Sequence, residues 1–255
     1  MGKISRIEGK IMLKDSKVKT LCIVPARGGL IRLNDKNTTM LNGKMLIEHT
    51  LDVALKCFDN VVFTTDSSEL MEKVEKYRSH KNFIAHKEPA ELATSTYRVI
   101  GVVRYLFELY SDLCGSDGQI WMCLPTCPLR TVEDVKVAQA LLTPNVDGVM
   151  GITDYEYPPT LGLSRDKDNL ISDWNKLRPW QTGNTNIQDH TGVFHPNDAI
   201  YGMWKSHFYK MKNFYSGKIV GYHMPRERSI NIKTELDLKT VKMIMEEWNY
   251  GSVSQ

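Results

Sequence analysis

From Thr20 onward the chain alternates short apolar runs with stretches of helical period, and no other feature limits its fold as much. Thr20 to Val24 is a nearly continuous apolar run closed by Pro25, the pattern of a strand buried on both faces. After Ala26-Arg27-Gly28-Gly29, the apolar positions Ile47, Leu51, Ala54, Leu55 and Phe58 recur at helical spacing. Val61 to Phe63 reads as a strand, Ser67 to Tyr77 as a helix opened by Asp66 or Ser67, and Phe83-Ile84 as a short strand. Ile100, Val103, Phe107 and Tyr110 mark one helical face, Ile120 to Leu124 a strand ending at Pro125, and Thr131 the cap of a helix reaching Leu142. Val146 to Ile152 is a further strand. Strands alternating with helices of this length predict a three-layer α/β fold, a mostly parallel sheet with helices on both faces. In such sheets ligands sit at the C-terminal ends of the strands.

Between Thr153 and Asn197 the pattern changes, with Pro158, Pro159, Pro179, Pro196 and the tryptophans Trp174 and Trp180. A stretch carrying apolar residues without a helix of its own suits a dimer arm or lid, with a long surface loop as the alternative. Order returns with a strand over Ala199 to Trp204 and a helix from Thr234 to Trp248, its inward face Leu238, Val241, Met245 and Trp248. The expected organisation is a basic N-terminal tail over 1–19 and one domain over 20–250, with 153–197 as the arm.

A net charge of +3 from 33 basic and 30 acidic residues is too balanced for a nucleic-acid stripe, so no nucleic acid is expected as partner. No apolar run is long enough to span a bilayer, and Met1 to Thr20 has no signal-peptide core, so a cytoplasmic protein without membrane contact is expected. The five cysteines, Cys22, Cys57, Cys114, Cys123 and Cys127, have neither zinc nor redox spacing and read as reduced thiols.

The loop Val24-Pro25-Ala26-Arg27-Gly28-Gly29 carries most of the chemical information. Glycines let a backbone approach phosphate and offer N–H donors, while Arg27 and Lys36 supply cations for a triphosphate. It is no Walker A loop, and a Gly-Gly pair after a strand serves a plain tight turn equally well.

This loop together with Lys36-Asn37 resembles the opening IPARGGSKGxPxKN of the acylneuraminate cytidylyltransferases, the CMP-sugar-acid synthetases. Further matches follow in the family's order: Thr64-Thr65-Asp66 for STD, Pro89 to Ala93 for PAELA, Pro125 to Arg130 for PTSPLR, Asn197 to Tyr201 for NGAIY, and Ser229 to Asp237 for SIDIDTELD. The resemblance implies a Rossmann-like nucleotide-diphospho-sugar transferase fold. It also implies transfer of CMP from CTP to the anomeric hydroxyl of a sugar acid of the nonulosonate class, with release of pyrophosphate; the homodimer expected for this chain rests instead on the 153–197 arm, with Trp174, Trp180 and neighbouring apolar residues. Carried over by position, Pro25, Ala26, Arg27, Gly28, Gly29, Lys36 and Asn37 would bind the nucleotide. Ala26 would do so through its backbone, Arg27 and Lys36 at the phosphates, and Asn37 at the ribose. Thr126, Arg130, Asn197 and Tyr201 would line the acceptor side. Positioning and charge neutralisation carry most of such a transfer.

The departures bear on the chemistry. The family's Ser-Lys after the glycines is Leu30-Ile31, with Arg32 next; its Arg before PAELA is Glu88; its Asp two residues after PAELA is Ser95; its Gln before PTS is Leu124. Its two metal-binding aspartates are Asn231 and Lys233, and neither is a good Mg²⁺ ligand. Mg²⁺ or Mn²⁺ is therefore expected to arrive mainly with the nucleotide, and Lys233 joins Arg27 and Lys36 as a candidate catalytic cation. Two alternatives stay open: a homologue with an altered nucleotide or acceptor, and a silent one that binds a nucleotide or a partner. Thr234 and Asp237 also read as a plain helix cap.

Overall fold

The computed structural model describes residues 18–28, 36–92, 99–190, 192–211 and 213–247. In chain order the elements begin with β1 (Thr20–Pro25), the small hairpin β2 (Met40–Leu41) and β3 (Lys44–Met45), and α1 (Leu46–Cys57). They continue with β4 (Asn60–Thr65), α2 (Ser68–Lys73), β5 (Phe83–Lys87), α3 (Val99–Tyr110), β6 (Gln119–Met122) and α4 (Val132–Leu141). Then come β7 (Gly148–Asp154), the hairpin β8 (Leu163–Arg165) and β9 (Ile171–Asp173), α5 (Pro179–Thr182), β10 (Phe194–Trp204), α6 (Lys205–Phe208), β11 (Ile219–His223) and α7 (Glu235–Glu247).

Seven strands form one sheet in the order β11-β7-β10-β6-β1-β4-β5, parallel except for β10, which runs antiparallel to both β6 and β7. Side chains alternate across it, and each face packs its own helices. Cys22, Val24, Val61 and Phe63 meet Ile47 and Leu51 of α1 and Val135 and Ala138 of α4 on one side. Leu21, Ile23, Val62, Ile120 and Met122 meet Val103, Leu106 and Phe107 of α3 and Phe208 of α6 on the other. That is the expected three-layer arrangement, with β1 buried at every position. At the centre of the first face a Cβ on Gly202 would lie 2.4 Å from the ring of buried Trp121, so only glycine fits there.

Local signals explain the ends of several elements. Ser67 caps α2 by accepting from the Leu70 N–H, and Thr131 and Asp134 form a reciprocal capping box on α4. Thr234 and Asp237 likewise exchange hydrogen bonds at the start of α7. Buried Val241 and Met245 and partly buried Leu238 carry the inward face of α7, while Trp248 lies outside the described residues.

Four expectations need correction. The helix read over Ser67 to Tyr77 ends at Lys73 and gives way to a 3-10 turn over Glu75–Ser79: Leu70, Val74 and Tyr77 keep one buried face, but the hydrogen bonds tighten, with the Tyr77 N–H on the Val74 carbonyl. The strand expected from Ala199 begins at Phe194. The 153–197 stretch is not bare of helix: besides the β8–β9 hairpin it contains α5, one turn long and opened by Pro179. Finally, β11 went unread, because five residues interrupted by Gly221 give little alternation, and its pairing with β7 comes from the tertiary fold.

Candidate active site at the switch point of the sheet

From β1 the chain winds outward through β4 to β5 and then crosses back to β6, on the other side of β1. The loops leaving β1 and β6 therefore diverge, and a sheet of this kind opens a crevice where its winding reverses. The β1 loop brings Pro25, Ala26, Arg27, Gly28, Lys36 and Asn37 to that crevice; Gly29 and the departures Leu30, Ile31 and Arg32 lie outside the described residues. The β6 loop brings Thr126, Cys127 and Arg130.

On the β1–β4 side the loop is held from behind. The Ala26 N–H donates to the Thr64 carbonyl at 2.8 Å, and the Gly28 N–H to Asp66 Oδ1 at 2.7 Å. A Cβ on Gly28 would lie 2.6 Å from that of Ser67, so this glycine serves close packing against the β4 loop. Its N–H is committed to Asp66, contrary to the expectation that it would be offered to phosphate. Arg27 lays Nη2 on the Leu92 carbonyl at 3.2 Å, and Asn37 Nδ2 donates to the Arg27 carbonyl at 2.7 Å. Asn37 is thus the tie between the two ends of the loop. Beneath them Thr64 Oγ1 donates to Glu88 Oε1 at 3.0 Å, while Glu88 Oε2 is buried without a hydrogen-bond partner. Burial pushes the Glu88 carboxyl above the usual range, Asp66 adds to the rise, and the Thr64 bond and Arg27 oppose it. Ser95 lies outside the described residues.

On the β6–β10 side most of the expected acceptor residues build the wall. Arg130 is 2% exposed, with Nη1 on the carbonyls of Leu124 and Ala199 and Nη2 on Thr50 Oγ1 at 2.8 Å. Asn197 is 1% exposed; its Nδ2 donates to Ser229 Oγ at 3.0 Å and its Oδ1 accepts from the Ala199 N–H at 3.1 Å. Tyr201 is buried and donates to Asp198 Oδ1 at 2.5 Å. Apart from Arg130 Nε, which is buried without a hydrogen-bond partner, the polar side-chain atoms of these three residues serve protein partners. Thr126, half-buried, accepts the Ile232 N–H on its carbonyl at 2.8 Å and so fastens the 229–233 segment to the β6 loop.

The missing member of this side is Asp198. Between Pro196 and Tyr201 the register of β10 slips, five steps along β10 answering two along β7, and the slipped residues include Asp198 at φ +62°. That left-handed backbone is natural to glycine, and among residues with a Cβ asparagine and aspartate adopt it most readily. Asp198 is half-buried between fully buried neighbours, and Asn231 Nδ2 donates to its Oδ2 at 2.5 Å. The signal was in the sequence, as the aspartate in place of the glycine of NGAIY.

Lys36 is buried at the meeting of the two sides, and burial lowers its pKa, partly offset by Cys127 and Asp237 and reinforced by Lys233. Lys233 is exposed, and its backbone N–H donates to Asp237 Oδ2 at 2.8 Å. Burial also pushes the Cys127 thiol up to about 12, so it is no thiolate nucleophile. As for a divalent cation, the donor set at 198, 231 and 233 is one carboxylate, one amide and one ammonium. Among the described residues no group of three or more His, Cys, Asp or Glu side chains could hold a metal. These side chains do not fit a metal cage of carboxylates.

A family model described as cytidylyltransferase matches residues 21–116. Over 239 residues the chain is 27% identical to the N-acylneuraminate cytidylyltransferase of Escherichia coli, covering 91% of this chain and 54% of that protein. It thus spans about half the length of that relative. Over 233 residues it is 26% identical to the CMP-N,N'-diacetyllegionaminic acid synthase of Legionella pneumophila, covering 90% of this chain and 97% of that one. The chain is a diverged relative of the acylneuraminate cytidylyltransferases. The pseudaminic acid cytidylyltransferase of Campylobacter jejuni is similar too, at 26% identity over 235 residues, 89% of this chain and 96% of that protein. Among solved structures, a CMP:2-keto-3-deoxy-manno-octonic acid synthetase complexed with CTP superposes with a TM-score of 0.63 at 14% identity, over 90% of this chain and 99% of that one. That likeness shows the fold alone, a mostly parallel seven-stranded α/β sheet of nucleotidyltransferase type. The family model ends before β6, so it covers the β1–β4 side of the crevice; the altered positions 198, 231 and 233 lie beyond it.

Proposed function

We propose that the chain transfers CMP from CTP to the anomeric hydroxyl of a nonulosonate-type sugar acid and releases pyrophosphate. The observation that carries this reading is the crevice at the switch point. There the β1 loop, with Arg27 and Lys36, faces the β6 loop and the 229–233 segment, in a chain related along most of its length to sugar-acid CMP synthases. Arg27 and Lys36 bind the triphosphate and neutralise charge as pyrophosphate departs, Lys233 adds a third cation at the rim, and Asn37 fixes the loop on which Arg27 stands. Any Mg²⁺ or Mn²⁺ arrives with the triphosphate. A cytoplasmic site of action suits the use of CTP, and among the described residues no helix is long and apolar enough to cross a membrane.

The test is pyrophosphate release from each of the four ribonucleoside triphosphates with N-acetylneuraminate, N,N'-diacetyllegionaminate or pseudaminate. Release with CTP and a sugar acid is expected. Binding of CTP without turnover on any of the acids would overturn the reading in favour of a silent homologue.

We also propose a homodimer through residues 153–197. Leu170, Ile171, Trp174 and Leu177 of this arm are 68%, 66%, 65% and 64% exposed, an apolar grouping that a second copy would cover. Sedimentation of the parent and of Trp174→Ser tests it. A dimer weakened in the variant is expected, and a parent that stays monomeric at high concentration would reject the idea.

A further inference from the structure

We propose that Asp198 is the proton acceptor of the transfer, the carboxylate that takes the hydrogen of the attacking hydroxyl; this rests on the activity proposed above. Three observations converge on it. First, Asp198 keeps left-handed backbone, at φ +62°, where the resembling sequences have glycine; aspartate is one of the few residues with a Cβ that adopt it readily, so a carboxylate is added without a change of conformation. Second, its two oxygens are gripped from two separate segments, Oδ1 by the Tyr201 hydroxyl and Oδ2 by the Asn231 amide, each at 2.5 Å. A carboxylate oxygen can accept more than one hydrogen bond, so the gripped group is oriented and still able to accept. Third, it stands half-exposed between buried Asn197 and Ala199, close enough to Cys127 to raise that thiol, on the side of the crevice where Lys36 and Asp237 interact.

The contact with Asn231 gives the arrangement its logic. In the resembling pattern position 231 carries the carboxylate and 198 carries no side chain. Here the carboxylate stands at 198 and an amide at 231, joined by one hydrogen bond. The negative charge has crossed that bond, so positions 198, 231 and 233 sum to zero, with Lys233 protonated. In the step itself the acceptor hydroxyl oxygen forms a bond to the α-phosphorus of CTP. The bond from that phosphorus to the bridging oxygen of pyrophosphate breaks, and the hydroxyl proton passes to Asp198 and then to water. A positioned base contributes about 10²- to 10⁴-fold to such a step.

Asparagine tolerates left-handed backbone, so Asp198→Asn removes the charge and keeps the conformation. With the sugar acid that supports turnover, kcat should fall about 100-fold or more, while CTP affinity by calorimetry changes by less than about twofold. Asp198→Gly should lose activity similarly, and Asp198→Gly with Asn231→Asp, which returns the carboxylate across the same bond, should recover about tenfold over the glycine variant. Circular-dichroism melts establish that each variant folds, and if Asp198→Asn does not, the glycine pair carries the test alone. A folded asparagine variant within about threefold of the parent, or a double variant no better than Asp198→Gly, would overturn the assignment and leave the proposed activity standing. A parent that turns over no sugar acid would remove the activity, and this assignment with it.

Discussion

The two sides of the crevice are built by opposite means. On the β1–β4 side a loop carrying the family's residues is clamped by backbone and carboxylate contacts, with Ala26 on Thr64, Gly28 on Asp66 and Asn37 across to Arg27. On the β6–β10 side the family's polar residues are drawn inside as struts, and the exposed chemistry passes to positions that depart from the family, Asp198 and Lys233. The common part of a ligand, a triphosphate, needs a fixed cradle, and the variable part meets a wall whose inner scaffold can stay while its surface changes. Homology therefore reads most clearly on the first side, and the second has to be read from geometry.

The largest expected effect belongs to Arg130, which looks like an acceptor residue by position and is a strut by structure. Its guanidinium joins the exit of β6 to Ala199 in β10 and to Thr50 in α1. Arg130→Ala leaves those carbonyls and a hydroxyl without their partner inside the fold, and each lost bond to a charged group is worth about 1.5–3 kcal/mol. Urea unfolding should show a loss of about 3 kcal/mol or more. A variant of parental stability with weakened sugar-acid binding would break the comparison, because Arg130 would then belong to the crevice.

That residue also marks how far the sequence could be read. The alternation of strands and helices is local, so periodicity recovered β1, β4, β6 and α1, and Thr131 announced α4 by its capping chemistry. It did not recover β11 or the early start of β10, whose pairing with β7 depends on distant residues. Within the site, the motifs brought Arg27, Lys36, Thr126 and Asn231 to one crevice. Motif position says nothing about which way a side chain points, so Arg130 and Asn197 read as binding residues although they face inward. Asp198 lay inside a quoted motif, but its meaning depends on a positive φ and a contact with a residue 33 positions away.

Arg27 sharpens the comparison from the other side. If the first side is the cradle, Arg27→Ala should weaken CTP binding by about 1.5–3 kcal/mol, the range for a hydrogen bond to a charged group. Stability should change little, because the loop keeps its clamps at Ala26 and Gly28. Equal CTP affinity in variant and parent by calorimetry would remove the triphosphate from this loop.

The smallest effect is a change in the pH dependence of folding, and it asks whether the cradle is strained. Glu88 stands where the resembling sequences have arginine, buried beneath the loop with one oxygen unpartnered. Burial raises its folded pKa above that of the unfolded chain, about 4.3 for an ordinary glutamate, so over the window between the two values the folded protein holds a proton that the unfolded chain has lost. Stability tied to this group is therefore complete below the unfolded value and is lost as pH rises through the folded one. Glu88→Gln cannot ionise, and its carbonyl can still accept the Thr64 hydroxyl. Urea unfolding at a series of pH values should show the stability of the parent falling relative to the variant as pH climbs through that window. Because Arg27 opposes the rise, placing Arg27→Ala beneath the same comparison should move the loss to higher pH. Parallel curves for parent and Glu88→Gln would mean that the carboxylate is as well solvated in the fold as out of it, and the cradle would then carry no buried charge to be relieved.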